Sequence, residues 1–217
     1  QNKIQAQSSY DQTLTRLSAG MSTQAQVLSA REAVTSADAS LLSARSSLGQ
    51  TKENLCLMLG WTYGAQVDIG DVPEPDLEGM AAINLDEDVS RGVENNYSLK
   101  ILEKKIANAK SGTNKSSLEQ SLKSQKETAA FSIKNAYESM MISKSDYEQA
   151  LNAYEIEAAA METAERKMTA GIMTRNNYIT QQSSFATAQV NVRTQRLALL
   201  RAQLEYQWSV DGLASVS

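Results

Sequence analysis

Four carboxylates that could take part in chemistry lie close together in the sequence. Glu155, Glu157, Glu162 and Glu165 fall in one predicted helix, where spacings of three and seven residues can gather some of them on one face. Carboxylates on facing helices can hold a di-iron centre, but that centre also needs Glu-x-x-His motifs, and the sequence contains no His. We therefore interpret these residues as a solvated helix face and predict no metal site.

Nucleophilic catalysis is equally restricted by the absence of His. The chain cannot form a Ser-His-Asp or Cys-His arrangement, or a zinc site of the usual Cys/His type. Cys56 is the only cysteine, and it lies between Leu55 and Leu57 at the apolar end of a predicted helix. We expect it to be buried as a small hydrophobic residue. The sequence thus predicts no catalytic residue, no bound cofactor and no enzyme activity.

The composition favours thin layers of helices. The chain has 2 Pro, 10 Gly and only 6% aromatic residues, while helix-forming and small residues dominate. The net charge is -4 with both signs interspersed, so we predict no nucleic-acid partner. No apolar run is long enough for a transmembrane helix. Because the helical pattern is already present at Gln1, we interpret the chain as a processed or truncated product.

A repeat of seven residues organises the first long helix. Its large seam residues are Val27, Val34, Leu41, Leu48 and Leu55. A second seam position, three residues later, holds mostly small side chains: Ala30, Ala37, Ala44, Thr51 and Met58. This spacing predicts a left-handed coiled coil with closely packed helices, ending near Gly60.

An irregular connector is predicted for residues 61–84. It contains both prolines of the chain, Pro73 and Pro75, and we expect a short strand at Gln66–Ile69. Asn84 or Asp86 can cap the helix that follows.

Three more helices are predicted after the connector. The first runs from about Leu85 to Lys110, and Ser111–Asn114 is a short break in which Asn114, or else Ser116, can cap the next helix. The second continues to about Met168. Its seams hold Ile133, Met140, Tyr147, Tyr154, Met161 and Met168, with Ala136, Ser143, Ala150 and Ala164 three residues later. The third runs from about Thr174 to Ser209. We expect the Tyr and Met side chains of the second helix to serve core packing.

The sequence also matches itself at an offset of 151 residues. Leu17–Thr23 corresponds to Met168–Thr174, and the heptads that follow stay in register. Gly20 and Gly171 can adopt the positive φ that closes a helix, while Thr23 and Thr174 can cap the next one. We therefore predict an all-α fold of long antiparallel coiled-coil hairpins in a duplicated arrangement.

This pattern divides the chain into three parts. Residues 1–60 form a first-repeat hairpin that is incomplete at its N-terminus, and residues 61–84 form the connector. Residues 85–217 form the second repeat, with its long helices and hairpin.

These features resemble the outer membrane efflux proteins of the TolC type. In that family a Gly at the hairpin tip is followed three residues later by Ser or Thr, as at Gly20 and Thr23 and at Gly171 and Thr174. Leu55–Gly60 is similar to the Leu-x-x-Leu-Leu-Gly that ends the family's first repeat. Two further segments resemble its C-terminal end: Leu204-Glu205-Tyr206 and Gly212-Leu213.

The sequence also departs from the family pattern. The Asp that follows the tip is replaced by Gln26 and Asn177, which weakens the acidic chemistry of the tip. The second repeat offers only Ser111–Asn114 where the family has barrel strands, and each spanning strand needs about 9–11 residues. The resemblance therefore covers the helical duct without the barrel.

The resemblance implies a function without chemistry. Family members form homotrimers that enclose a hollow helical cylinder in the cell envelope, in the outer membrane and the periplasm, with the helical part in the periplasm. The hairpin tips dock a periplasmic adaptor, which couples to an inner-membrane pump. By analogy, the residues expected at the tips are Gly20, Ser22, Thr23, Gly171, Thr174 and Arg175.

Two other functions fit the same pattern. One is a structural coiled coil, such as an envelope spacer, and the other is an amphipathic lipid-binding bundle. Trp61 and Trp208 lie near helix ends, which weakens the second interpretation.

Overall fold

The computed structural model describes residues 2–65, 68, 70 and 72–216. This described part is all-helical, as the sequence predicts, and it contains no strand. The helices are α1 (Asn2–Ser18), α2 (Gln24–Met58), α3 (Leu77–Ala81), α4 (Leu85–Asn95), α5 (Tyr97–Ala107), α6 (Gly112–Thr169) and α7 (Arg175–Trp208). A π-helical turn, Ser209–Leu213, follows α7 directly.

The chain divides into two compact units, which we describe separately. The first unit comprises Gln1–Asp71 and Ala153–Gln189, and the second comprises Val72–Asn152 and Val190–Ser217. Helices α6 and α7 contribute residues to both units.

Helix α1 packs along the first part of α2 in the first unit. Lys3 near the start of α1 forms an ion pair with Asp38 of α2, with 2.6 Å between Nζ and Oδ1. Val27 and Val34, on the predicted seam of α2, are half-buried. The apolar stripe of α2 is therefore partly covered only where α1 lies beside it.

The second part of the α2 seam differs from the prediction. Leu41, Leu48 and Leu55 are 38%, 68% and 41% exposed, although the heptad pattern predicts packed positions. The reason is geometric, since α1 has 17 residues and its first turn already lies opposite Asp38. Cys56 is buried, as expected.

The first unit also contains the end of α6 and the start of α7. Tyr154 and Phe185 stack with 5.5 Å between ring centroids, and Gln181 donates a hydrogen bond of 2.7 Å to Glu157. Met161 is 8% exposed. The Tyr and Met positions of this stretch therefore pack as predicted, apart from Met168 at the helix end, which is exposed.

The core of the second unit is built on seven-residue spacing. Ile133, Met140 and Tyr147 of α6 are buried and cluster with residues of α7, Leu199 and Tyr206. Tyr137 adds a tilted ring contact to Tyr206, with 5.8 Å between centroids. Burial of these large apolar side chains stabilises the packing of α6 against α7 in this unit.

The helix predicted from Leu85 to Lys110 is wrong as a single element. It is broken at Asn96, which has a non-helical ψ of 118° and separates α4 from α5. Its side-chain oxygen accepts from the N–H groups of Ser98 and Leu99, and its Nδ2 donates to the Ala214 carbonyl at 2.9 Å. Asn is suited to this role because its short side chain competes with the helical backbone bonds.

Two predicted helix starts also need correction. Helix α6 begins at Gly112, so neither Asn114 nor Ser116 caps it, and the Lys115 N–H already donates to the Ser111 carbonyl. Asn84 does occupy the N-cap position of α4, but its side chain makes no capping hydrogen bond.

A short helix, α3, lies in the described part of the predicted irregular connector. Asp76 caps α3 by accepting from the Gly79 N–H at 2.8 Å. Met80 of this helix is buried in the core of the second unit, so tertiary packing orders a stretch that shows no periodicity of its own. Of the strand expected at Gln66–Ile69, Gln66, Val67 and Ile69 lie outside the described residues.

Candidate functional site

The first tip, residues 19–23, closes α1 with a pair of backbone hydrogen bonds. The Gly20 N–H donates to the Leu17 carbonyl and the Met21 N–H donates to the Arg16 carbonyl. Gly20 has a φ of 73°, which Gly adopts without steric cost. This is the Schellman arrangement, which satisfies carbonyl groups at the helix end.

The same tip opens α2 with a capping box. The Gln26 N–H donates to Thr23 Oγ1 at 3.3 Å, and Gln26 Oε1 accepts from the Thr23 N–H at 2.9 Å. Ser22 adds a third bond, since its hydroxyl donates to Gln26 Oε1 at 2.8 Å. The predicted caps at Gly20 and Thr23 are therefore confirmed, and Ser22 supports the cap. Gln26, which replaces the acidic residue of the family pattern, takes part in each of these bonds.

The second tip, residues 170–174, is built in the same way. The Gly171 N–H donates to the Met168 carbonyl, the Ile172 N–H donates to the Lys167 carbonyl, and φ of Gly171 is 71°. Thr174 accepts from the Asn177 N–H at 3.3 Å. Both predicted caps of this tip are confirmed as well.

The tips also expose two large apolar side chains that sequence reasoning did not select. Met21 and Ile172 follow the two glycines and are 72% and 75% exposed. Met21 and Ile172 occupy equivalent positions of the repeat, 151 residues apart. This equivalence is the sequence signal that could have identified them as tip residues. A largely exposed apolar side chain in each tip can contact another protein.

Arg175, the remaining predicted tip residue, is exposed at the first position of α7. Together with Ile179 it faces α1 across a shallow groove of about 670 Å³. Arg16 and Asp11 of α1 line the same groove, so its polar edge carries positive and negative side chains. Arg175 forms no ion pair within the described part of the chain.

The carboxylates of α6 do not converge on a site. Glu157 accepts from Gln181, and Glu162 pairs with Arg166 one turn away at 3.2 Å. Glu155 and Glu165 are exposed. Across the described residues, no group of His, Cys, Asp and Glu side chains has the geometry to hold a metal ion.

A part-buried hydrogen bond joins α4 to α7 in the second unit. The Tyr206 hydroxyl donates to Asp88 Oδ2 at 2.6 Å, and Asp88 also pairs with Arg91 at 2.7 Å. Burial raises the pKa of the Tyr206 hydroxyl above its usual value, and the bond to Asp88 raises it further. Burial also raises the pKa of Tyr147, and the charge of Glu74, to which its hydroxyl donates, raises it further.

The second unit also has a groove of about 980 Å³. Leu197, Leu204 and Trp208 of α7 line it and are each about half exposed, and Met80 and Met140 form its base. Charged side chains line it as well, and two pairs of them form ion pairs, Asp88 with Arg91 and Arg201 with Glu205. We therefore interpret the groove as a packing surface.

Comparison with known proteins does not assign the chain. No family model matches the sequence, and no curated protein matches it. Within the residues that the structure describes, no helix combines the length and apolarity needed to cross a bilayer.

Proposed function

We propose that the chain is a non-catalytic component of a helical duct in a tripartite efflux or secretion system. It assembles with further copies of itself, as a trimer, into a channel of the cell envelope. Its tips dock a periplasmic adaptor, which couples to an inner-membrane pump. The proposal begins from the resemblance to the TolC-type proteins. The structure of the two tips, the contacts beside them and the exposed leucines of α2 support it.

The observation that carries the proposal is the matching construction of the two tips. Each has a positive-φ Gly with the same pair of backbone bonds, and a Thr three residues later that caps the next helix. Gly20 and Gly171 are 151 residues apart, and the heptads that follow them align with each other at the same offset. A duplicated hairpin with its tips in equivalent positions accounts for both facts.

The contacts beside each tip support an antiparallel pairing of helices. Lys3 and Asp38, which form an ion pair, lie 17 residues before and 18 residues after Gly20. Tyr154 and Phe185, which stack, lie 17 before and 14 after Gly171. Near-equal distances from the tip are what two antiparallel coiled-coil helices produce.

The uncovered leucines of α2 support assembly with another copy. Leu41, Leu48 and Leu55 keep coiled-coil spacing but lack a partner helix among the described residues. Val190, Leu197 and Leu204 of α7 repeat every seven residues and are also exposed, at 61%, 51% and 47%. Two exposed heptad stripes on one chain are complementary surfaces for neighbouring copies, which bury them against each other.

Light scattering tests this assembly directly. A trimer has three times the chain mass of 23.7 kDa, about 71 kDa. Leu48→Asp places a charge on the uncovered stripe and should reduce the mass to that of one chain. Ser46→Asp introduces the same charge on the opposite face of α2 and should leave the trimer intact.

The proposal is wrong if the unchanged chain has the mass of a monomer at all concentrations, in buffer and in detergent. It is also wrong if both Asp variants dissociate the oligomer equally, because the leucine stripe would then have no special role.

A further inference from the structure

The corner where α5 ends and α6 begins carries an unusual concentration of positive charge. We call residues 97–118 the basic corner. Its lysines are all exposed: Lys100, Lys104, Lys105, Lys110 and Lys115. The only acidic residue of the corner is Glu103, so it has a net charge of +4 within a chain of net charge -4.

The positive charge of the basic corner is not neutralised by its surroundings. Glu103 is engaged by Lys126, with 2.9 Å between the charged atoms. Within the described residues, none of the five lysines of the corner forms an ion pair. The corner therefore presents free ammonium groups to whatever lies beside it.

Apolar side chains lie among these lysines. Tyr97 and Ile101 are 70% and 39% exposed on α5, on the side opposite the buried Leu99 and Leu102. Ile101 and Lys104 line two shallow grooves of about 580 Å³ and 450 Å³. Leu118 of α6 lines the larger groove. The corner thus combines diffuse positive charge with apolar groups at its surface.

We propose that the basic corner docks on the anionic headgroups of a phospholipid surface. Clusters of four to eight basic residues beside apolar side chains have the chemistry of such binding, and each lysine near the surface strengthens it about fivefold. The corner holds lysines and no arginine. Lysine is a flexible point charge that suits a diffuse layer of headgroups, whereas specific recognition of a phosphate or carboxylate group favours the planar fork of arginine.

This inference is independent of the proposed function. It rests on the charge and exposure of the basic corner in the second unit, whereas the duct proposal rests on the tips and the leucine stripe. Loss of lipid binding would therefore leave the oligomer unchanged.

Cosedimentation of the full chain with vesicles tests the proposal. We expect the chain to bind phosphatidylcholine vesicles that contain phosphatidylglycerol and to bind pure phosphatidylcholine vesicles far more weakly. Binding should fall steeply as salt is added, because mobile ions screen exposed charges.

Variants identify the surface that binds. Replacing Lys104, Lys105 and Lys110 by Gln should weaken binding to the anionic vesicles about a hundredfold, at about fivefold for each lysine. A control variant with Gln at Lys52, Lys134 and Lys167 has the same net charge and should bind as the unchanged chain does. Circular dichroism checks that both variants keep their helix content.

Three results would overturn the proposal. The first is equal binding to neutral and anionic vesicles, and the second is an equal loss in both triple variants. The third is a clear preference for a polynucleotide over the anionic vesicles, which would assign the corner to a different class of partner.

Discussion

At the residue scale, the tips depend on side chains whose roles are local. Gly20 and Gly171 supply positive φ, and Thr23 and Thr174 supply capping oxygens. The sequence predicts all four because a helix cap is decided by residues within a few positions of it. The exposed Met21 and Ile172 were not predicted as contact residues, because no local rule distinguishes an exposed apolar side chain from a buried one.

Replacing Gly20 by Ala should destabilise the fold by about 1–2 kcal/mol, since an L-residue is strained at positive φ. No atom lies within 4 Å of the added Cβ, so the cost comes from the backbone alone. Gly49→Ala is the matched control, because Gly49 lies inside α2 with equally open space and an ordinary φ. That change should raise the free energy of unfolding by roughly 0.5–1 kcal/mol. Urea titration of both variants measures the two effects, and a shift of the same sign in both would contradict this account of the tip.

Because the pKa of the Tyr206 hydroxyl is raised in the folded chain, we expect the stability of the fold to depend on pH. Its raised pKa means that the folded chain keeps a proton which the unfolded chain releases above about pH 10. The contribution to stability is therefore complete below pH 10 and is lost as the pH rises further. Tyr206→Phe should make this decline shallower, leaving the part due to Tyr147. Urea unfolding between neutral and alkaline pH measures the slope, and identical slopes in the two proteins would contradict the assignment.

At the element scale, the helices follow from periodicity, but their breaks do not. The seven-residue spacing predicts which positions of α6 are buried, and Ile133, Met140 and Tyr147 are buried. The break at Asn96 was missed because it depends on the Ala214 carbonyl, 118 residues away in sequence. Helix α3 was missed for a similar reason, since Met80 is held by the core of the second unit.

Asn96→Ala should be among the most destabilising polar substitutions. It removes the acceptor for two N–H groups and the donor to the Ala214 carbonyl, in a side chain that is 1% exposed. We expect a loss of about 2 kcal/mol or more in the free energy of unfolding. Asn84→Ala is the control, since Asn84 occupies the N-cap position of α4 without a capping bond and should change stability little. Equal effects of the two substitutions would show that the hydrogen bonds of Asn96 do not stabilise the break between α4 and α5.

The turn after α7 and a side chain of α6 approach α4 closely at one glycine. A Cβ on Gly92 would lie 2.6 Å from Ile133 Cδ1 and 3.1 Å from the Ser209 carbonyl oxygen. Gly92→Ala should therefore destabilise the chain by about 1–3 kcal/mol through overpacking, although Ala is the better helix former. Thermal unfolding measured beside Gly49→Ala checks this, and a rise in melting temperature for Gly92→Ala would contradict the close approach.

At the scale of the whole molecule, each compact unit buries apolar residues of its own, yet large apolar side chains stay exposed along α2 and α7. Within one chain the heptad pattern predicts a packed seam along all of α2. The structure leaves the second half of that seam open, because no helix among the described residues lies beside it. Sequence periodicity marks a surface that packs, but it does not say whether the partner belongs to the same chain. The proposed oligomer supplies that partner from another copy.

The central claim is that copies of this chain enclose a channel. Electron-microscope images of the purified oligomer, averaged in end-on views, test it most directly. The account predicts a ring with threefold symmetry and a stain-filled centre. A filled rod, or a particle without threefold symmetry, would contradict the duct and favour a structural coiled coil.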